Sequence, residues 1–429
     1  MNRDFILSCF GINEKYLSSF DVIEDQDLKQ ITVFVEFYKS TFECPYCKSK
    51  NINIQGYYKT KLNNNILRNV DLILVPKIRR YKCLECSKTF KENINISPFK
   101  HQLTNKIVES IKIDLCKMLS YSDIAKEYNI SSHTVMNIFD SMPELPIPPF
   151  PSVICVDEFK FSNDVRHYAR YPFVISDPFT SSIIDIVEYR TKPVLSEYFE
   201  KIPKFRRDFV NFFITDMNQT YRSIKKKYFP KAIHIVDHFH IAKLFTSKLQ
   251  SMRIRIMKEN KTEQNIKEYK CLKNNWKFFL MRKYKAMKIL IDENGMVEDI
   301  YLNIQQTFKH YSEFGYLYNA REEFFDTLVK MKEYKETCDA VDFFIQKFID
   351  SEIKEVREIG SSINNWREEI INAYAKNEYG FCLTNAVAES NNNYIKTLIH
   401  MSHGFVNFHR FRKRILYINA YRNQYKKGI

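Results

Sequence analysis

The sequence predicts a multidomain α/β protein, and three observations carry that prediction. Two Cys-x-x-C pairs stand near the N-terminus, at Cys44/Cys47 and Cys83/Cys86. Five prolines crowd residues 143–151 (PELPIPPFP), which read as an extended, semi-rigid linker. Beyond the linker, short apolar runs alternate with helical patterns as far as residue 245. None of the thirteen prolines lies beyond Pro230, so the later tract reads as mostly helical. The predicted segments are 1–100, 101–142, the linker 143–151, an α/β layer over 152–245, a helical stretch 246–375 and a closing segment 376–429.

Bulk properties narrow the class. At 429 residues with 45% hydrophobic content, the chain is long enough for several domains and too apolar for wholesale disorder. No window approaches about eighteen uncharged apolar residues, so no membrane span is expected. The N-terminus lacks the pattern of a secretion signal. A formal charge of +15 points to a polyanionic partner, with DNA or RNA the first candidate. Six of the ten cysteines (Cys9, Cys116, Cys155, Cys271, Cys338, Cys382) are scattered, which suits a reducing compartment better than a disulfide framework.

The two cysteine pairs are thirty-five residues apart, and four thiolates from two such knuckles suit tetrahedral Zn²⁺. With strand-like stretches at 52–58 and 70–81 between them, they predict a zinc ribbon holding one structural ion at Cys44, Cys47, Cys83 and Cys86. A redox dithiol or two chance pairs are the alternatives. Arg79, Arg80, Lys82 and Lys88 crowd the second knuckle, a pattern suited to phosphate contact.

Residues 117–139 (KMLSYSDIAKEYNISSHTVMNIF) read as a helix-turn-helix. Ser122 is the expected N-cap of its first helix, the turn falls near Asn129-Ile130, and Ser131 or Ser132 caps the second. Ile124, Ala125, Ile130, Val135 and Ile138 would pack between the helices. Ser132, His133, Thr134 and Asn137 would then face a DNA major groove. Units of this pattern also serve as protein-contact modules.

In the α/β layer, strands are expected at 153–156, 171–176, 183–189, 209–215 and 232–236, with helices at 193–201 and 221–228. Asp157 and Asp216 each end an apolar run, and neighbouring strands would bring both to one carboxyl edge, where α/β sheets bind ligands. Glu389 sits on a later helix, capped by Thr384 or Asn385, with Asn392, Asn393 and Lys396 on its polar face. Carboxylates in such places are costly to bury unpaired, and bound cations would offset that cost. The helical tract changes sign along its length, with fourteen Lys or Arg against three acids over 243–288 and eight against thirteen over 321–370. The basic half is a candidate DNA-facing surface.

Several stretches resemble the ISL3-type insertion-sequence transposases: the double C-x-x-C, the helix-turn-helix, VDEF at Asp157, TDMNQTY at Asp216, FPKAIHIVDHFHIAK across Asp237 and His240, and AESNNNYIKTLIHMSHGFVNFHRFRKRIL from Glu389. The resemblance implies a ribonuclease-H-like mixed-sheet catalytic core interrupted by an all-α insertion. Residues 376–429 would return as the second part of that core, followed by a basic C-terminal helix. It implies that Asp157, Asp216 and Glu389 are the catalytic acids and hold two Mg²⁺ or Mn²⁺ ions. Asp237 and His240 would be accessory, though Asp237 also ends an apolar strand and competes with Asp216 as second ligand. Glu158 should point away and be structural.

The implied activity is binding of the element's terminal inverted repeats, metal-dependent cleavage, and strand transfer into target DNA. The implied partners are those DNAs and a second copy of the chain, as a homodimer or larger synaptic complex, in the bacterial cytoplasm with the nucleoid. In the tail, Lys396, His400, His403, Arg410, Arg412, Lys413 and Arg414 form a basic stretch expected to meet phosphates, with Phe405, Phe408 and Phe411 packing the last helix. The rivals are a catalytically silent or domesticated DNA-binding regulator and a structure-specific nuclease.

Overall fold

A computed structural model describes residues 2–64, 70–97, 102–161, 171–261, 265–285, 297–331, 333–375, 384–402, 405 and 407–426. His403 and Cys382 lie outside these residues. By its contacts the chain divides into two units, Met1–Pro146 with Ile395–Ile429, and Ile147–Tyr394. The architecture is mixed α/β, with one mixed sheet in each unit among the described residues.

The first unit opens with α1 (Arg3–Phe10), capped by the Asn2 side chain and stopped at Gly11, whose φ of 66° suits a residue without Cβ. Six strands follow: β1 (Leu17–Asp25), β2 (Gln30–Phe37), β3 (Ile52–Lys59), β4 (Leu62–Asn63), β5 (Asp71–Cys83) and β6 (Thr89–Lys91). The thirteen-residue β5 is the spine. It runs parallel to β2 and antiparallel to β3, β4 and β6. Val33, Leu72 and Leu74 pack against Leu7 and Phe10 of α1 as its core.

Three helices come next: α2 (Asn105–Leu115), α3 (Tyr121–Glu127) and α4 (Ser132–Ser141). Ile124, Ala125, Val135 and Ile138 are buried between them and Ile130 is partly buried. The N-cap of α3 is Ser120, not Ser122. Ser120 is three residues before Asp123, which returns a hydrogen bond to the cap and closes a capping box, whereas Ser122 is followed at that spacing by Ala125. Ser131 caps α4, and Asn129 takes the left-handed conformation in the turn with φ of 51°.

The second unit is built on five strands: β7 (Val153–Glu158), β8 (Phe173–Asp177), β9 (Ser182–Val187), β10 (Phe212–Thr215) and β11 (Ile233–Val236). Their order across the sheet is β11-β10-β7-β8-β9, all parallel except β8. On one face, Ile154, Val156 and Phe213 pack with α5 (Lys192–Glu200) and α7 (Gln219–Tyr228), beyond the short α6 (Lys204–Arg207). Phe150, from the proline-rich segment, is buried in the same core.

On the other face, Val153, Cys155, Phe212 and Ile214 share a core with a run of helices. These are α8 (His238–Glu259), α9 (Ile266–Asn274), α10 (Trp276–Leu280), α11 (Val297–His310), α12 (Ser312–Leu328), α13 (Tyr334–Ile349), α14 (Lys354–Asn365) and α15 (Arg367–Tyr374). The helical tract therefore continues the apolar core of the sheet. Its two charge blocks answer each other: Arg282 pairs with Glu322 and Asp326, Lys248 with Glu358, and Arg255 with Glu355. That pairing reduces the free positive charge of the block that sequence assigned to DNA.

The last helices are α16 (Ala386–Met401), within which the division between units falls, and α17 (Phe408–Lys426). Instead of joining the sheet unit, α17 packs in the first unit, where Tyr417 lies against the core of α2–α4.

Candidate active site

Side-chain alternation sets the site. On β7, Val153 and Cys155 face the helical-tract core while Ile154 and Val156 face the α5–α7 core. Period two therefore turns Asp157 to the Cys155 side and Glu158 to the other. Phe212 and Ile214 share the Cys155 side, so Asp216 follows them. The pairing of Ile214 with Cys155 puts Asp216 level with Asp157 on the neighbouring parallel strand. Asp237 stands one strand further, its N–H donating to Thr215 O at 2.9 Å. Three carboxylates thus line the carboxyl edge of the sheet.

Their environments differ. Burial raises the pKa of Asp157 and of Asp216 to about 6; the Glu158 N–H opposes the rise at Asp157, the Glu158 carboxylate adds to both shifts, and His240 counters both. Asp157 Oδ2 accepts from Asn392 Nδ2 at 2.8 Å and Oδ1 from the Glu158 N–H at 2.8 Å. Asp216 Oδ1 is buried with no hydrogen-bond partner. Such an orphan beside a second carboxylate is the donor set of a hard divalent cation.

Asp237 is committed elsewhere. Its Oδ1 accepts the Asn385 N–H at 3.0 Å, and Oδ2 lies 3.6 Å from His240 Nδ1. Burial would raise its pKa, but His240 and the Asn385 N–H outweigh burial and lower it. For His240, burial favours the neutral ring, yet Asp237, Asp216 and Asp157 together raise its pKa.

Glu389 occupies the first turn of α16, exposed, and adds to the upward shift of Asp157. The helix is held to the sheet by asparagines: Asn385 Nδ2 donates to Val156 O at 3.2 Å, Asn391 to Ser176 Oγ at 3.0 Å, and Asn392 to Glu158 O at 3.2 Å as well as to Asp157. Sequence reading missed Asn391 and took Asn392 only as part of a polar face. The signal was there: three consecutive asparagines are poor helix formers in a helix interior and call for another role. Asp157, Asp216 and Glu389 do not converge as tightly as the four cysteines do. Among the described residues, only the cysteines bring three or more candidate ligand atoms within 4.8 Å of one another. Mutual repulsion of carboxylates and the exposed position of Glu389 account for the wider spacing.

In the first unit, Cys44 Sγ lies 3.7 Å from Cys86 Sγ, and Cys47 Sγ lies 3.5 Å from Cys83 Sγ. A tetrahedron with Zn–S bonds of about 2.3 Å has edges of about 3.8 Å, so these four thiols could hold a zinc ion. Both knuckles are built alike. The residue after each second cysteine, Lys48 or Ser87, is left-handed, with φ of 63° and 60°.

The expected phosphate contacts separate into two groups. Arg80, His133, Asn137 and Lys396 are exposed, and Ser132, Thr134 and Arg412 are half-buried. Arg79 is turned inward, paired with Glu92 at 3.0 Å and Glu36 at 3.2 Å. Strand alternation decides this: Arg80 takes the open face and Arg79 the covered one. Lys413 and Arg414 are buried as well, donating to Met142 O at 2.5 Å and Leu119 O at 2.8 Å, and Arg410 forms two hydrogen bonds with Asp140 at 2.8 and 2.6 Å. These tail cations hold α17 against the three-helix module and are spent on protein carbonyls and a carboxylate.

An α/β sheet with an acid-lined carboxyl edge, in a chain that also carries a separate four-cysteine module, defines a candidate metal-using class of enzyme. The family model of the ISL3-type DDE transposases, described simply as transposase, matches residues 154–415. The chain belongs to that family. A search of curated proteins finds no match. Among the described residues, no helix is long and apolar enough to cross a membrane.

Proposed function

We propose that the chain is an insertion-sequence transposase that binds the terminal inverted repeats of its element, cleaves DNA at the ends and joins them to a target, using Asp157, Asp216 and Glu389 as the catalytic acids. The observation that carries this reading is the level, same-side placement of Asp157 and Asp216 on adjacent parallel strands, with pKa values near 6 and an orphan carboxylate oxygen. The single reversed strand β8 in a five-stranded sheet with helices on both faces supports the ribonuclease-H-like reading. Mg²⁺ or Mn²⁺ at such carboxylates would lower the pKa of an attacking water or 3′-hydroxyl and offset charge on the leaving oxygen.

Within the chain, Asn392 orients Asp157, while Asp237 fixes the start of α16 through the Asn385 N–H and supports His240. Asp237 is thereby a positioning residue and Asp216 the second metal ligand. For DNA recognition, α3 and α4 act as a helix-turn-helix with His133 and Asn137 toward the bases, and the zinc ribbon adds Arg80. Synapsis of two ends needs at least a dimer. This reading places the protein with bacterial DNA in the cytoplasm.

The test is a supercoiled plasmid bearing the element ends, incubated with protein and Mg²⁺ or Mn²⁺. Nicked, cleaved and strand-transfer products are expected. Bound but uncut ends would leave only the regulator, and cutting without joining would leave the nuclease.

A further inference from the structure

Arg190 stands just past β9, a strand that runs in the same direction as β7 and β10. It therefore emerges at the same carboxyl edge as Asp157 and Asp216. Its backbone N–H donates to Tyr171 O at 3.2 Å, and its guanidinium carbon lies 4.8 Å from the centre of the Tyr171 ring. Nη1 donates to Glu158 Oε1, and the other Glu158 oxygen accepts from the buried Tyr221 hydroxyl.

The exposures are unequal. The Glu158 side chain is 19% exposed and that of Arg190 38% exposed. One edge of the guanidinium is fixed from beneath, and among the described residues the rest of a five-donor fork remains open at the site. Its charge reaches Asp216, where it works against the burial that raises that carboxyl's pKa.

A surface ion pair needs no such framework. Glu158 is anchored by Tyr221, and Arg190 is both stacked on Tyr171 and tied to the Tyr171 backbone. The edge it serves is crowded with acids, so an incoming phosphodiester meets repulsion from Asp157, Asp216 and Glu389 unless a fixed cation offsets it. Resting on the transposase reading, we propose that Arg190 grips a non-scissile phosphodiester of the DNA strand beside the Asp157–Asp216 pair, with Glu158 as its positioning residue. Glu158, next in sequence to a catalytic acid, thus takes no metal and instead aims the arginine.

Duplexes carrying one element end, each with a single neutral methylphosphonate at a different phosphate around the cleaved bond, test this by single-turnover cleavage with Mn²⁺. In the wild-type chain one position is expected to slow cleavage on the order of 10-fold or more, the worth of a charge-assisted hydrogen bond. Arg190→Ala should be slow on the all-phosphate duplex and change less than about twofold on adding that methylphosphonate. Arg190→Lys keeps the charge over Glu158 and so protects the fold; its penalty at that position should shrink to about threefold, because the fork is lost. Penalties in both variants as large as in wild type would overturn the proposal. A wild-type chain that cuts neither duplex nor plasmid would overturn the transposase reading instead.

Discussion

The four-cysteine cluster and the acid-lined sheet edge are both candidate cation sites, and they are assembled in opposite ways. Each cysteine pair is set by its own tight turn, with Lys48 and Ser87 in the same left-handed conformation, and β5 with β3 brings the two turns together. Thiols are neutral when protonated, so four of them crowd together at little electrostatic cost. The carboxylates come from the ends of β7 and β10 and from a helix more than 170 residues beyond Asp216, and no shared turn sets their spacing. They repel one another, and burial makes Asp157 and Asp216 costlier to ionise. One site is close-packed; the other is spread along a sheet edge, and on the proposed transposase reading its charge meets the cation and phosphate of a reaction.

The largest expected effect falls on the first site. Cys83→Ser should release zinc and unfold the sheet around β5, since metal binding in small zinc modules is worth about 10–16 kcal/mol. Metal analysis should fall from one zinc per chain to none; a variant with unaltered thermal stability would break the contrast. Next, Asp157→Asn, Asp216→Asn and Glu389→Gln should each slow cleavage by at least about 10²-fold with end binding nearly intact. Asp237→Asn should retain some activity, and total loss there with Asp216→Asn tolerated would exchange their roles.

The pH dependence sharpens the comparison. Asp157 and Asp216 titrate near 6 in the fold against an ordinary 3.8, so the folded state holds more protons between those values. Metal-free stability should therefore fall as pH rises from about 4 to 6 and stay low above it. Asp216→Asn should raise the metal-free thermal midpoint at pH 7, by about 1–3 kcal/mol of stability, and diminish the stabilisation that added Mn²⁺ gives. Glu369 behaves oppositely. Burial alone would raise its pKa, but His234 and Arg222 outweigh burial and hold it at about 2. Its contribution is complete above about pH 4.5 and is lost as pH falls toward 2, and Glu369→Gln should flatten that acid limb of the unfolding curve. The smallest effect expected is at the Ser120 cap, where Ser120→Ala should cost about 1 kcal/mol in a denaturant titration.

Much of this was legible because it is local. The five strand positions of the second unit follow from short apolar runs, and the cysteine spacing alone points to zinc. The α3 cap was misplaced by two residues, because two serines competed and only the one three before Asp123 completes a capping box. Arg79 and Arg80 read as equivalent in sequence, and pleating sends one to Glu36 and Glu92 and the other to solvent. Arg190 carries no signal in the linear pattern, since its partners Glu158, Tyr171 and Tyr221 come from β7, the stretch before β8 and α7.

Residue order by itself determined which elements form, which acids close apolar strands and which thiols pair within a knuckle, because these depend on neighbours a few positions away. Only the tertiary structure decided which cations remain open, that Asp237 is committed to α16, and that α17 joins the three-helix module. Those outcomes rest on burial and on partners from tens to hundreds of residues distant, where the cost of an unpaired charge selects among arrangements that the linear pattern leaves equal.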